Sequence, residues 1–452
     1  MIHRNDARAL RGHDACMWPY HPDLLATPVP RYTSYPTAAE FGNIGPGLYA
    51  DALEQVTGDV SLYVHIPFCE RICHYCGCNT GAAGKRQRLD SYLAALSREA
   101  VTVASRLPDG VRVRRVSFGG GSPNALDPVD FVRLVEHLTV AFRLDDPVFS
   151  IELDPRTMSA DWAQAIATVG IARASLGVQT FAYHCQQAIG RVQGEDTIVR
   201  TVDWLRGAGV SSLNFDLMFG LPRQTRGDLL DTLERSRTLG ADRIALFGYA
   251  HVPHVVPRQR AIDATDLPDQ QERFAMAGLG HAQLAANGYW PVGFDHFARP
   301  GDPLAKAAFA GRVRRNFQGF TDEEAPNLVG LGASAISRFP HLLAQNEKNS
   351  GRYRMIATQG LLTADRGIER SAEDRERGSI VEQLLCQGSA RLAPRLAAEI
   401  GEPLRSFIER DLASLREDVL TIGADGLPYA RTIAALFDPY RRTTPRRFSS
   451  AI

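Results

Sequence analysis

From about residue 60 the chain alternates short apolar runs with longer stretches whose apolar residues recur every three or four positions. The short runs at 61–66, 115–118, 148–153, 173–178, 212–218 and 243–248 predict strands. Between them lie helical patterns such as Ser-Tyr-Leu-Ala-Ala-Leu-Ser-Arg-Glu-Ala at 91–100. Six strand-then-helix units predict an α/β fold with a parallel sheet, whose curved form is a partial (β/α)6 TIM-type barrel. A doubly wound open sheet would use the same order of elements.

Beyond about residue 300 the alternation fades, and 312–336 shows no clear strand pattern. From about 350 the chain reads as helices, for example at 380–385 and 404–415, followed by a hairpin around Ala424-Asp-Gly426. The expected organisation is an N-terminal extension over 1–55 packing on the barrel, the barrel with its extension over 56–345, and a smaller, mainly helical C-terminal domain over 346–452. That last part is winged-helix in outline, and is expected to cover an active site rather than bind DNA.

Polar residues punctuate the strand pattern in a regular way. Cys69, Gly119–Ser122, Glu152, Gln179, Asp216 and Ala250 each fall at or just beyond the C-terminal end of one predicted strand. In an α/β barrel that rim carries the active site, so residues far apart in sequence are expected to converge on one pocket.

Charge narrows the function classes. The 452 residues hold 51 basic and 51 acidic side chains, a balance that gives no support for a nucleic-acid or anionic-membrane partner. No apolar run approaches the ~18 residues of a spanning helix, and the N-terminus lacks the apolar core of a signal peptide. A cytoplasmic protein is expected. Cys16, Cys185 and Cys386 are scattered, which fits a reducing compartment.

The other four cysteines are not scattered. Cys69, Cys73, Cys76 and Cys78 share the segment Tyr63-Val-His-Ile-Pro-Phe-Cys-Glu-Arg-Ile-Cys-His-Tyr-Cys-Gly-Cys-Asn79. A structural zinc site pairs two knuckles across a gap, and there is no second knuckle. Two-cluster ferredoxins use a different first interval and more cysteines. A CxxxCxxC spacing instead supplies three thiolates to a four-iron cubane, leaving one iron open. Cys78, two residues past Cys76, reads as a separate feature.

CxxxCxxC directly after a strand resembles the signature of the radical S-adenosylmethionine (SAM) superfamily, and its Gly-Cys extension resembles the oxygen-independent coproporphyrinogen III oxidases. Further motifs follow in that family's order: Pro30-Arg-Tyr-Thr-Ser-Tyr-Pro-Thr-Ala38, Gly119-Gly-Gly-Ser-Pro123, Ile151-Glu-Leu-Asp-Pro-Arg156, Gly177-Val-Gln179, Asp216-Leu-Met-Phe-Gly-Leu-Pro222, Asp295-His-Phe-Ala298, Arg315-Asn-Phe-Gln-Gly319 and Leu331-Gly-Ala-Ser-Ala-Ile-Ser337. The resemblance implies that Cys69, Cys73 and Cys76 hold a [4Fe–4S] cluster and form, with Tyr63, the catalytic set. It implies two SAM molecules. Tyr63, Gly120, Glu152 and Ile336 fall to the cluster-bound one, Glu152 at its ribose and Ile336 at its adenine. Gly121, Ser122, Gln179, Arg191, Asp216 and Ala250 fall to the second, and Tyr75 matches an aromatic that stacks on an adenine.

Read without the family, Glu152 is a strand-end carboxylate that would pair with Arg156, Arg191 and Asp216 a structural ion pair, and Tyr63 ordinary core. The chain also departs from the family pattern. Ser122 stands where threonine is usual, Tyr75 where phenylalanine is, and Phe247-Gly-Tyr-Ala-His251 where Phe-Asn-Tyr-Ala-His is. The implied activity is oxidative decarboxylation of two propionates of coproporphyrinogen III to vinyl groups in haem biosynthesis. Arg31 and the arginines of 312–315 are candidate propionate partners. The implied electron donor is a flavodoxin or ferredoxin, and a monomer is expected. Two other readings share the cluster: a haem-binding chaperone, which generally lacks the counterpart of Cys78, and a radical enzyme that methylates or opens a porphyrin ring.

Overall fold

The computed structural model describes residues 18–443. Cys16 therefore lies outside the described residues, as does the start of the expected N-terminal extension.

All six predicted strands form: β1 (Val60–Ile66), β2 (Val113–Gly120), β3 (Val148–Leu153), β4 (Ile171–Gln179), β5 (Ser212–Phe219) and β6 (Arg243–Gly248). They pair in parallel, each with the next, into a curved partial barrel. Helices α1 (Arg86–Ala104), α2 (Pro128–Phe142), α3 (Ala160–Val169), α4 (Glu195–Gly207) and α5 (Arg226–Thr238) connect them, and α6 (Gln270–Ala286) follows β6. Each buries one apolar stripe; on α1 it is Leu89, Tyr92, Leu96 and Val103, spaced three, four and seven residues apart. Local chemistry sets the helix starts. Asp127 caps α2 ahead of Pro128, and Thr225 with Asp228 forms a capping box on α5.

The sheet runs further than expected. In the stretch 312–336, where no strand pattern was visible, β7 (Asn327–Leu331) lies parallel to β1, with Gly330 opposite Tyr63. Its five residues are all buried, so the strand shows no polar alternation to betray it. Glu99 of α1 is 1% exposed and accepts a hydrogen bond from Gly332 N at 2.7 Å just past this strand. Beyond β7, the antiparallel β8 (Ile336–Arg338), β9 (Leu342–Asn346) and β10 (Ala364–Glu369) extend the same sheet. The expected domain division at 345/346 thus falls inside β9, and the main sheet continues to Glu369.

The C-terminal unit begins with α7 (Ala372–Gln387) and continues through β11 (Ser389–Arg391), α8 (Pro394–Ile408), β12 (Ala413–Arg416) and β13 (Val419–Ile422). Its three strands form one antiparallel sheet in the order β11-β13-β12. The helix expected over 404–415 stops at Ile408, because Asp411 turns left-handed (φ 58°) and sends 413–416 into a strand. The hairpin turn lies at Glu417 and Asp418, upstream of the expected Asp425-Gly426. Gly426 serves close packing instead: it sits against the Leu412 carbonyl, where a Cβ has no room. Tyr32 Oη donates to Asp438 at 2.9 Å and Tyr20 Oη to Gln270 at 3.0 Å, so the segment before the barrel bridges both units.

Candidate active site

A cavity of about 320 Å³ opens at the C-terminal rim of the partial barrel. Cys69, Cys73, Cys76 and Cys78 line it together with Tyr75, Gly120, Gly121, Ser122, Glu152, Gln179, Arg191 and Asp216. The expected convergence therefore occurs for all of the predicted rim residues except Gly119 and Ala250. Most of these residues sit at strand ends, but Asp216 lies three residues inside β5 and faces the cavity from deeper in the barrel. Gln179 ends β4 with φ 67°, a strained backbone for a non-glycine residue at a point where the β4–β5 register shifts.

Backbone contacts weld the cysteine loop to the glycine run. Gly121 N donates to Ile66 O at 2.8 Å and Ser122 N to Phe68 O at 2.7 Å. A Cβ on Gly121 would strike the Phe68 carbonyl, and Gly120 combines φ 111° with the His65 ring within 2.5 Å of its Cβ position. Close approach requires these two glycines, beyond any role in a turn.

Three expected site residues do not line this cavity. Tyr63 Oη contacts His65 Nδ1 at 3.1 Å, and Glu152 is near enough to act on the tyrosine's charge. Ala250 lines an adjoining cavity, and its carbonyl and that of Tyr75 both accept from Gln259 Nε2, at 3.0 and 2.9 Å. Ile336 is half-buried on β8, paired with Gln345.

Neither structural ion pair considered from the sequence forms. Arg156 and Arg191 both turn to Asp154, at 2.6 and 3.2 Å, and each also points a guanidinium nitrogen at Cys73 Sγ from 3.4 Å. Burial pushes the Asp154 carboxyl up, but the two arginines outweigh it and hold it below the usual range. Asp154 was not singled out from the sequence, although it stands in the quoted Glu-Leu-Asp-Pro-Arg motif. His65 was also missed; its signal is the two-residue spacing that puts it on the same strand face as Tyr63.

Glu152 and Asp216 remain without an arginine partner. Gly120 N donates to Glu152 Oε2 at 3.2 Å, and Asp216 accepts from Ser175 Oγ at 2.8 Å and Asn214 Nδ2 at 2.9 Å. Burial, and then the Asp216 charge, push the Glu152 carboxyl up to about 7. A carboxyl raised above its unfolded value stabilises the fold fully below that value, and the contribution is lost as pH rises through the folded one. The ligand-free protein should therefore lose stability between pH 4.5 and about 7 through this group. Thermal melts across that window should be flatter for Glu152→Gln than for the unsubstituted chain.

The donor set fits a cluster. A hydrogen bond from Cys78, opposed by burial, brings the Cys76 thiol down to about 6, which favours the ligating thiolate. Burial pushes Cys69 up to about 11 in the free protein, and the guanidiniums at Cys73 supply positive charge to a site that thiolates would make negative. Among the described residues, His184, Cys185 and Asp228 also bring ligand atoms together. There, however, Asp228 already caps α5, and burial lifts the Cys185 thiol to about 12.

A partial barrel with a three-cysteine loop and a glycine-rich run on its rim defines a radical SAM protein, and residues 63–235 match the Radical SAM superfamily model. The likeness extends over nearly the whole chain. It is 38% identical over 442 residues to the oxygen-independent coproporphyrinogen III oxidase of Cereibacter sphaeroides, covering 95% of this chain and 97% of that one. The Escherichia coli protein of the same name is 36% identical over 438 residues, covering 94% and 96%. The solved structure of coproporphyrinogen III oxidase from Escherichia coli superposes with a TM-score of 0.87 at 34% identity, covering 94% of this chain and all of the other. The chain belongs to the oxygen-independent coproporphyrinogen III oxidase family.

Proposed function

We propose that this protein decarboxylates two propionates of coproporphyrinogen III to vinyl groups without oxygen, using two molecules of SAM. The observation that carries the reading is the single cavity in which the CxxxCxxC thiols face the Gly120–Ser122 run, Glu152, Gln179 and Asp216. Relatives alike over their full length bear the name of this activity.

Cys69, Cys73 and Cys76 would hold the [4Fe–4S] cluster, and the Gly120 backbone and Glu152 would hold the first SAM. When bound, the cluster with SAM supplies the one-electron chemistry that removes a hydrogen from the propionate carbon β to the carboxylate. The substrate radical then loses carbon dioxide and passes one electron to an external one-electron acceptor, leaving the vinyl group. Gln179, Arg191 and Asp216 face the same cavity and would take a second SAM beside the first. Asp154 fixes Arg191 and Arg156 behind Cys73, a preorganised charge that needs no rearrangement during turnover. A flavodoxin- or ferredoxin-type donor would supply the electron to a monomer in the cytoplasm. Among the described residues, no helix is long and apolar enough to cross a membrane.

The test is an anaerobic assay of the reconstituted protein with coproporphyrinogen III, SAM and a low-potential reductant. One 5′-deoxyadenosine should appear for each carboxyl lost. SAM cleavage without decarboxylation, or haem binding without product, overturns the reading.

A further inference from the structure

A second cavity, of about 70 Å³, adjoins the first and shares Arg31 and Phe247 with it. Its walls come from the ends of β5 and β6, from α6, and from the C-terminal unit, which contributes Arg431. Arg31, Arg273 and Arg431 all reach it. Arg273 Nη2 donates to Tyr249 O at 2.7 Å, whereas its buried Nε has no partner. Arg31 Nη2 donates to Gly248 O at 3.1 Å and stacks over the Phe247 ring. Arg431 lies over the Phe294 ring, 5.4 Å from its centroid.

Among the described residues none of these three arginines forms an ion pair, although other arginines inside the barrel do: Arg173 with Asp322 at 2.6 Å and Arg243 with Asp302 at 2.7 Å. The cavity wall holds one carboxylate, Asp295, and that is hydrogen-bonded to His296 Nδ1 at 2.6 Å. Burial, and then repulsion from Arg31, lowers Arg273 to about 10 and Arg431 to about 9. Gathering uncompensated cations in a desolvated pocket is costly unless a ligand brings the opposite charge. Apart from His281, the other side chains of the wall, including Phe219, Leu246 and Phe297, are apolar.

We propose that Arg273 and Arg431, with Arg31 at the junction of the two cavities, form a carboxylate subsite that grips the propionates of the tetrapyrrole that do not react. This rests on the decarboxylase reading above. Guanidinium forks match carboxylates in bidentate geometry, and the small cavity takes carboxylate arms and leaves the macrocycle outside it. With those carboxylates anchored, the opposite edge of the macrocycle extends past Phe247 toward the cysteine cavity. The C-terminal unit is then part of the substrate site through Arg431.

The test titrates the cluster-loaded protein anaerobically with coproporphyrin III, a stable tetracarboxylate, and with its uncharged tetramethyl ester, following porphyrin fluorescence. Arg273→Gln and Arg431→Gln should each raise the Kd for the acid at least about tenfold and leave that for the ester unchanged. Arg431→Lys, which keeps the charge but not the fork, should fall between. Iron content and SAM affinity should match the unsubstituted chain. Equal binding of the acid by all variants, equal losses for acid and ester, or a change confined to SAM overturns the subsite. If the unsubstituted protein turns over coproporphyrinogen III while the variants bind normally, the subsite alone fails. If that protein neither binds the acid nor forms product, the decarboxylase reading fails with it.

Discussion

Cys73→Ala should purify without a full cluster and cleave no SAM, and Cys69→Ala and Cys76→Ala should do the same. Of the three, Cys73 is the most deeply set, at 5% exposure, with Arg156 and Arg191 directed at its sulfur. Removing the thiol would take away one of the three proposed ligands and strand the positive charge gathered behind it. Cys78→Ser should behave differently. Cys78 lines the same cavity but acts on Cys76 through a hydrogen bond, which a serine hydroxyl can still donate. Iron analysis and 5′-deoxyadenosine formation separate the two cases. Iron loss in Cys78→Ser comparable to that in Cys73→Ala would make Cys78 a ligand and overturn the three-thiolate assignment.

Asp154→Ala should lower the unfolding free energy by about 3–5 kcal/mol, the cost of leaving buried charges without their partner. The side chain is 9% exposed, and it is the shared carboxylate of Arg156 and Arg191, whose own side chains are 7% and 8% exposed. Asp154 also accepts from Arg156 N and so shapes the turn after β3. Urea unfolding of the ligand-free protein measures the loss. The pH dependence gives a second check. Because this carboxyl is held below its unfolded value, its contribution is present above that value and disappears as pH falls through the folded one. Asp154→Ala should therefore narrow its gap to the unsubstituted chain in acid, a trend opposite in sign to that of Glu152. A gap that stays constant down to low pH would mean the carboxylate is not the source.

Much of the barrel was legible because its strands and helices carry their burial in local period. The runs at 148–153 and 243–248 were placed to the residue, and the others to within two residues at each end. Periodicity failed where an element is short and buried on both faces, as in β7, or where a single backbone residue reverses the chain, as Asp411 does after α8. The Asp-Gly pair misled because Gly426 answers to packing against Leu412 and not to a hairpin.

The sequence by itself determined the chemistry of the rim. Cysteine spacing, a glycine run and carboxylates at strand ends are local features, and a parallel barrel brings all strand ends to one side whatever the details of packing. Tertiary structure alone decided who pairs with whom. Arg191 meets Asp154 and not Asp216, and Arg31, Arg273 and Arg431, from three distant parts of the chain, meet around a cavity with a single carboxylate. Local propensity acts over a few residues. The partner of a buried charge is set by which elements pack together, so only the folded chain shows which charges are satisfied and which still await a ligand.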